Sequence, residues 1–581
     1  MTNLLKLISF LNPYKKECIV GPIFKLFEAI LELLLPTIIA LLINNGVSNK
    51  DSSYVLKMGG IMLCMAILGF CGSLICQYYA ARASQGFGTD LRNAIFLHIS
   101  SLSHAEIDKF GSSSLINRIT NDVNQLQLAV AMLIRLVIRA PFICIGATIM
   151  AMILDFKLSL IILSAIPFFA LILYFFIKKT TPLYKKYQKD LDKLSLIISE
   201  NLGGVRVIRA FAKIPKEKDR FKEENNDLTY TSIHVGKISA LLNPLTSLVV
   251  NVSIIILLWV GAFQINVGTL APGTIIAFAN YITQILLALI VVSNLIVIFT
   301  KASASAVRIN ELLETETSII ENKEDLSKGF KEDAPIIEFE NVFFNYNVAG
   351  DMALEKISLS MNKGQTIGII GGTGSGKSTF INLIARFYEV TSGEVMVNGI
   401  NIKDYPLEIL RNTISMVPQK AELFTGTIEE NIKWGNLEAS VDDVIEAAKK
   451  AEAHEFIIKL PNGYKTKVQR GGANFSGGQK QRLTIARALI KNPEILILDD
   501  SFSALDLATD ATLRKSIKES FNDMTVIIVS QRVSTIKEAD EIIVFDDGQV
   551  VGLGTHKDLM DRSEVYKEIC LSQLSSEEAI K

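Results

Sequence analysis

Nowhere in the 581 residues do the cysteines fall at metal-ligand or disulfide spacing: Cys18, Cys64, Cys71, Cys76 and Cys144 sit in apolar runs, and Cys570 stands alone near the C-terminus. All six read as buried thiols, which excludes a zinc module or a disulfide scaffold. A charge excess is missing too. Lys and Arg number 59 against 60 Asp and Glu, for a formal net charge of −1, so no global basic field draws the chain to nucleic acid and no nucleic-acid partner is expected. The N-terminal "MTNLLKLISFLNPYKKE" has neither the basic start nor the small-residue cleavage site of a signal peptide. Its short apolar stretch ahead of Lys15 and Lys16 reads as an interfacial helix.

What the chain has in plenty is apolar sequence. Hydrophobic residues make up 49% and the mean hydropathy is +0.34, high for a soluble protein, with the excess concentrated in the first half. Apolar runs near 17–44, 57–80, 128–154, 158–177, 238–266 and 272–300 each reach the roughly 20 residues a helix needs to cross a bilayer. They predict six spans in a transmembrane domain over 1–315. The connections 45–56, 155–157 and 267–271 are short, whereas 81–127 and 178–237 are long and carry basic residues such as Lys178, Lys179, Lys185, Lys186, Arg206 and Arg209. The positive-inside rule puts both long loops and both termini in the cytoplasm. Few helix breakers interrupt 81–110 and 181–202, so the helices are expected to run well past the bilayer.

After a polar linker at 316–335 the pattern changes. From 336 to 581 the β-rich runs "IIEFENVFF", "TIGIIG", "ILILDD", "TVIIVS" and "EIIVFDD" alternate with amphipathic helical stretches, the signature of an α/β domain. "GGTGSGKS" comprises Gly371, Gly372, Thr373, Gly374, Ser375, Gly376, Lys377 and Ser378, and lies between a strand pattern and a helix that opens at Thr379. That context marks a P-loop. Backbone N–H groups cradle phosphate oxygens at a helix N-terminus, Lys377 reaches the terminal phosphates, and Ser378 ligates Mg²⁺. Asp499, at the end of "ILILDD", completes the metal shell. ATP and Mg²⁺ are the expected ligands.

Between these motifs lies "NFSGGQKQRLTIARAL", and with it the chain resembles an ATP-binding cassette (ABC) exporter half-transporter over essentially its whole length. The resemblance implies a multi-domain fold: an all-α six-helix transmembrane domain of the type IV exporter fold, followed by an α/β P-loop cassette. It also implies that two cassettes pack head to tail, each ATP lying between one P-loop and the other chain's signature. Asn474, Phe475, Ser476, Gly477, Gly478 and Gln479 form the signature here, and Ser476 with the two glycines would face the γ-phosphate. Carried over in the same way, Tyr346 is the aromatic that stacks on adenine. Gln419 senses Mg²⁺ and the γ-phosphate, and Asp506 lies in a loop crossing the dimer interface. Two cytoplasmic stretches, "SSSLINRITNDV" (112–123) and "VIRAFAKIPKEKDRF" (207–221), resemble the coupling helices that rest on the cassettes.

Three residues depart from the family pattern. The catalytic glutamate that polarises the attacking water is replaced by Asp500, whose carboxylate is drawn back by about 1.5 Å; a misplacement near 1 Å can cost on the order of 100-fold. Gln531 stands where the family has a histidine, and the five histidines of the chain lie elsewhere. Glutamine can bond a phosphate oxygen but carries no charge and shuttles no proton. Gln469 replaces a glutamate common just before the signature. A weak P-loop site beside an intact signature resembles the degenerate-site subunit of bacterial heterodimeric multidrug exporters. The resemblance therefore implies a partner half-transporter with glutamate and histidine in place, export of small amphipathic substrates (drugs, lipids or peptides), and residence in the cytoplasmic membrane.

Within the first span, Glu28 and Glu32 share a helical face. They read either as attractors for cationic drugs or as acids that are neutral or paired with Lys25 or with the Arg135/Arg139 face of the third span. Import through the exporter fold, as in siderophore systems, and a homodimer with two weak sites are the alternative functions. A soluble cassette ATPase is excluded by the six spans.

Overall fold

A computed structural model describes residues 2–320, 334–346, 350–520 and 523–573. The chain divides into two units, one holding the sequence up to His98 together with Ser113–Thr315, the other holding Ile99–Ser112 and everything from Glu316 onward. Most of the linker expected at 316–335 lies outside the described residues.

The first unit is all helix. Six helical segments among the described residues are long and apolar enough to cross a membrane: Leu4–Val47, Ser52–Ser101, Ser112–Leu154, Phe156–Gly203, Ile214–Asn266 and Pro272–Leu313. At 1.5 Å per residue a 50-residue helix such as Ser52–Ser101 is about 75 Å long, more than twice a hydrocarbon core. The short connectors have local causes. The Asp155 carboxylate accepts the Leu158 N–H at 2.8 Å and caps the fourth helix. At the other tight connection Gly268 takes φ +78° and Pro272 opens the last helix, where its missing N–H costs nothing. The core joins Ala29 and Leu33 of the first helix to Ile143 and Ala147 of the third and to Phe278, Tyr281 and Ile285 of the sixth. Cys64 and Cys71 are exposed rather than buried; on an apolar membrane helix, hydropathy alone cannot tell an inward face from a lipid-facing one.

Where the third and sixth helices continue beyond the apolar runs, an ion pair takes over from apolar packing. Asp122, 2% exposed, accepts hydrogen bonds from Arg308 Nε at 2.8 Å and from the Ser305 hydroxyl at 2.9 Å, and a further one from Arg308 Nη2. Asp122→Ala strands Arg308 and Ser305, and is expected to destabilise the unit by about 2 kcal/mol, read as a lower apparent Tm of the detergent-solubilised chain. An unchanged Tm would show that the pair contributes nothing.

The second unit is α/β. Its six-stranded sheet has the order Gln549–Gly554, Glu541–Asp546, Thr366–Gly371, Thr525–Val529, Ile495–Asp499, Ile414–Val417. All pairings are parallel except that of the first two strands. Thr525–Val529 and Ile495–Asp499 are buried throughout, as expected of central parallel strands covered on both faces. A four-stranded antiparallel sheet, Leu354–Met361, Ile337–Phe344, Ser392–Val397, Ile400–Asn401, packs beside it. Half the residues of Leu354–Met361 face water, as on an antiparallel sheet with one solvated face.

Contrary to the resemblance, 112–123 is not a coupling helix resting on the cassette. Residues 112–123 form the opening turns of the third long helix, and Arg118 and Asp122 are buried within the membrane unit. The helix that belongs to the cassette unit is His104–Phe110. Its His104 ring lies 4.7 Å from that of Phe387, and Asp108 accepts the Tyr388 hydroxyl at 2.6 Å. The stretch 207–221 forms a helix–turn–helix with Ala212 at φ +52°, and its residues are nearly all exposed.

Candidate nucleotide site

The P-loop joins strand Thr366–Gly371 to helix Lys377–Ile384. Gly376 takes φ +97°, and a Cβ there would come 2.8 Å from the Ala353 carbonyl, so only glycine lets the loop close over the strand end. The Lys377 ammonium is folded into the loop, donating to the carbonyls of Gly371 at 2.9 Å and Gly372 at 2.5 Å and to the Ser375 hydroxyl at 3.2 Å. Burial lowers its pKa, and the carboxylates of Asp499 and Asp500 oppose that shift.

Asp499 ends its strand 8% exposed. Burial raises its pKa first and the neighbouring Asp500 second, against the lowering effects of the Ser378 hydroxyl and Lys377. Two carboxylates with only one nearby ammonium form a site that a divalent cation would relieve, so Ser378 and Asp499 fit Mg²⁺. Asp500 leaves the strand in the left-handed region, at φ +47°, with its N–H on the Val529 carbonyl. Aspartate tolerates that conformation better than longer side chains do. Its Oδ2 accepts from Gln419 Nε2 at 3.3 Å, so the residue after the strand and the expected phosphate sensor face each other.

The other predicted positions are less tightly gathered. Gln531 is exposed, and its backbone carbonyl accepts from the Gln573 side chain at 2.7 Å. Arg532 donates to the Ser503 carbonyl, tying the Gln531 turn to the segment after Asp500. The Tyr346 ring is about half exposed, its hydroxyl 2.9 Å from that of Thr379, and it stands edge-on to Phe344 and Tyr388. Tyr388 carries no sequence signal of its role because it lies in no motif. It links Asp108 of the His104–Phe110 helix to the Tyr346 ring, 5.3 Å away.

The signature is built as a helix start. Ser476 caps helix Gly477–Leu489: its hydroxyl accepts the Gln479 N–H at 3.3 Å and its own N–H donates to Gln479 Oε1 at 3.0 Å. Asn474 holds the approach by accepting from the Gln469 N–H and donating to the Lys467 carbonyl, both at 3.0 Å. Phe475 is buried in the helical core beneath, while Ser476 and Gly477 are exposed. Asp506 accepts the Thr509 N–H and hydroxyl, which lower its pKa.

Two family profiles cover most of the chain: the ABC transporter transmembrane region at residues 18–289 and the ABC transporter cassette at 354–503. An uncharacterised ABC transporter ATP-binding protein of Bacillus subtilis, YfiB, is 39% identical over 98% of this chain and 99% of its own. The chain belongs to the ABC transporter family. One transmembrane unit followed by one cassette makes it an ABC exporter half-transporter and a multi-pass membrane protein. A second Bacillus subtilis relative, YgaD, named for a proposed role in multidrug export, is 33% identical over 97% of this chain and 98% of its own. A bacterial Atm1-family ABC exporter solved with ATP bound superimposes with a TM-score of 0.79, covering 97% of this chain and 99% of that one at 23% identity; that likeness speaks to the fold. As an ABC transporter, the chain carries a cassette of the ATP-binding, ATP-hydrolysing kind.

Glu28 and Glu32 of the first span are both ion-paired inside the membrane unit. Glu28 lies 2.6 Å from Lys25 and Glu32 lies 2.6 Å from Arg139.

Proposed function

We propose that this half-transporter contributes a weakly hydrolytic ATP site and an intact signature to a heterodimeric exporter of small amphipathic compounds. The observation that carries the reading is Asp500, one methylene short of the family's glutamate, hydrogen-bonded to Gln419 beside a loop in which Gln531 replaces histidine. In this reading the P-loop backbone, Lys377 and Thr379 hold the phosphates, Ser378, Gln419 and Asp499 surround Mg²⁺, and Tyr346 offers its exposed face to adenine. Asp500 positions water poorly, so ATP dwells. The partner's P-loop site is completed by Ser476, Gly477 and Gly478 of this chain, whose helix N-terminus and N–H groups stabilise the γ-phosphate. Asp506 lies at the same interface. The cassette and both termini face the cytoplasm of a bacterial cell. The relatives named for multidrug export support the substrate class.

The test is purification with and without a second half-transporter that carries glutamate and histidine at the two positions. ATP turnover by this chain alone should be at least about tenfold below that of the pair. Vigorous drug-stimulated hydrolysis by the homomer would overturn the heterodimer.

A further inference from the structure

Among the polar side chains on the first, third and sixth membrane helices, six stand out: Lys25, Glu28 and Glu32 on the first, Arg135 and Arg139 on the third, and Gln284 on the sixth. Three are cations and two are anions. Each anion is taken, Glu28 by Lys25 and Glu32 by Arg139. Arg135 has no acidic partner among the described residues, and its Nε is buried without a hydrogen bond, as are Arg139 Nε and Gln284 Oε1. Native proteins leave few such atoms unsatisfied, and those they leave tend to mark a role.

The cluster is a single place in the fold. Lys25, Glu28 and Arg135 all lie within electrostatic reach of Cys76 on the second helix. Gly21, four residues before Lys25, lets the first helix close on the third, since a Cβ there would come 2.7 Å from Ile134 Cγ2. Arg135 stands in a π-helical turn, Leu133–Val137, a feature frequent at functional sites. Four residues on, Arg139 shares a cavity of about 90 Å³ with Glu32, Gln284, Ile143 and Leu287. Counted from the inner ends of their apolar runs, Lys25 and Arg135 lie about 10–12 Å deep. A cation there is costly, and two ion pairs do not call for a third.

We propose that Arg135, with Lys25 and Arg139, forms a head-group site for an amphiphile bearing one acidic group, a carboxylate or a phosphate. The proposal rests on the export reading only for what happens to the ligand afterwards. A cationic ligand would have to displace Lys25 or Arg139 from an existing pair. An acidic one meets the uncompensated guanidinium and breaks nothing.

The probe is 11-(dansylamino)undecanoic acid against its methyl ester, titrated without ATP into the full-length chain in phosphatidylcholine nanodiscs. The acid should bind about tenfold more tightly than the ester, the scale of one exchanged favourable contact. Arg135→Gln should bring the two within about twofold, and Arg135→Lys should keep much of the preference. Glu28→Gln, which frees Lys25, should strengthen acid binding, and it serves as an independent readout should Arg135→Gln fail to fold. Competition by phosphatidylglycerol in the nanodisc would identify a lipid head group as the source of the acid, whereas ATP-driven accumulation of the probe in inverted vesicles would identify a transported solute; both support the site. Binding of the acid without such transport would keep the site and count against the export reading alone. Equal binding of acid and ester by the unmodified chain, or an acid preference that survives Arg135→Gln, would overturn the proposal.

Discussion

Ser476→Ala and Gly477→Asp in the heterodimer should lower steady-state ATP turnover by about 100-fold or more, while Lys377→Ala should leave it within about tenfold of the unmodified pair. In the proposed heterodimer the first two changes strike the partner's working site. Removing a preorganised donor to a developing phosphate charge costs on the order of 10²–10³, and an aspartate at Gly477 sets a negative charge at the helix N-terminus that should receive the γ-phosphate. The Ser476 hydroxyl also holds the cap of its helix through Gln479, so Ser476→Ala both removes the proposed phosphate contact and loosens the turn that aims the glycine N–H groups. Lys377 belongs to this chain's own P-loop, where turnover is already slow in the proposed scheme. Losing it should show as weaker nucleotide occupancy, read by photolabelling, more than as lost hydrolysis. Equal losses from both classes would mean two equivalent sites.

Asp500→Glu combined with Gln531→His should raise single-turnover hydrolysis at this chain's P-loop on the order of 100-fold, with each change alone giving less than about tenfold. A positioned general base contributes 10²–10⁴, and two groups acting on one transition state are non-additive. The partner's catalytic glutamate is changed to glutamine so that only this site reports. Two features of the structure shape the expectation. Asp500 sits at φ +47°, a conformation in which aspartate is at home and glutamate is less so, and its carboxylate already engages Gln419. Gln531 is exposed on a turn held to the segment after Asp500 by Arg532, so an imidazole at this position needs no repacking. If the unmodified chain already hydrolyses at the rate of the double variant, the shorter carboxylate performs the chemistry.

Much of this molecule is legible in the amino-acid sequence alone. Six apolar runs must be helices because a bilayer offers no partner for an open backbone, and "GGTGSGKS" between a strand and a helix reads as a phosphate cradle because glycines there serve backbone geometry, which is local. Asp499 and Ser476 are legible for the same reason: each sits at the end of an element whose pattern is readable within a few residues. What the sequence leaves open is which side chains meet across elements far apart in the chain. Residues 112–123 have the look of a separate amphipathic helix, yet the pairing of Asp122 with Arg308, 186 positions away, makes them the start of a membrane helix, and the neighbouring His104–Phe110 packs with the cassette instead. Glu28 and Glu32 share a helical face by their spacing alone. Only the packing of the first helix on the third gives Glu32 its Arg139 and leaves Arg135 without an acid among the described residues, because compensation of a buried charge depends on distances in space that no local periodicity encodes.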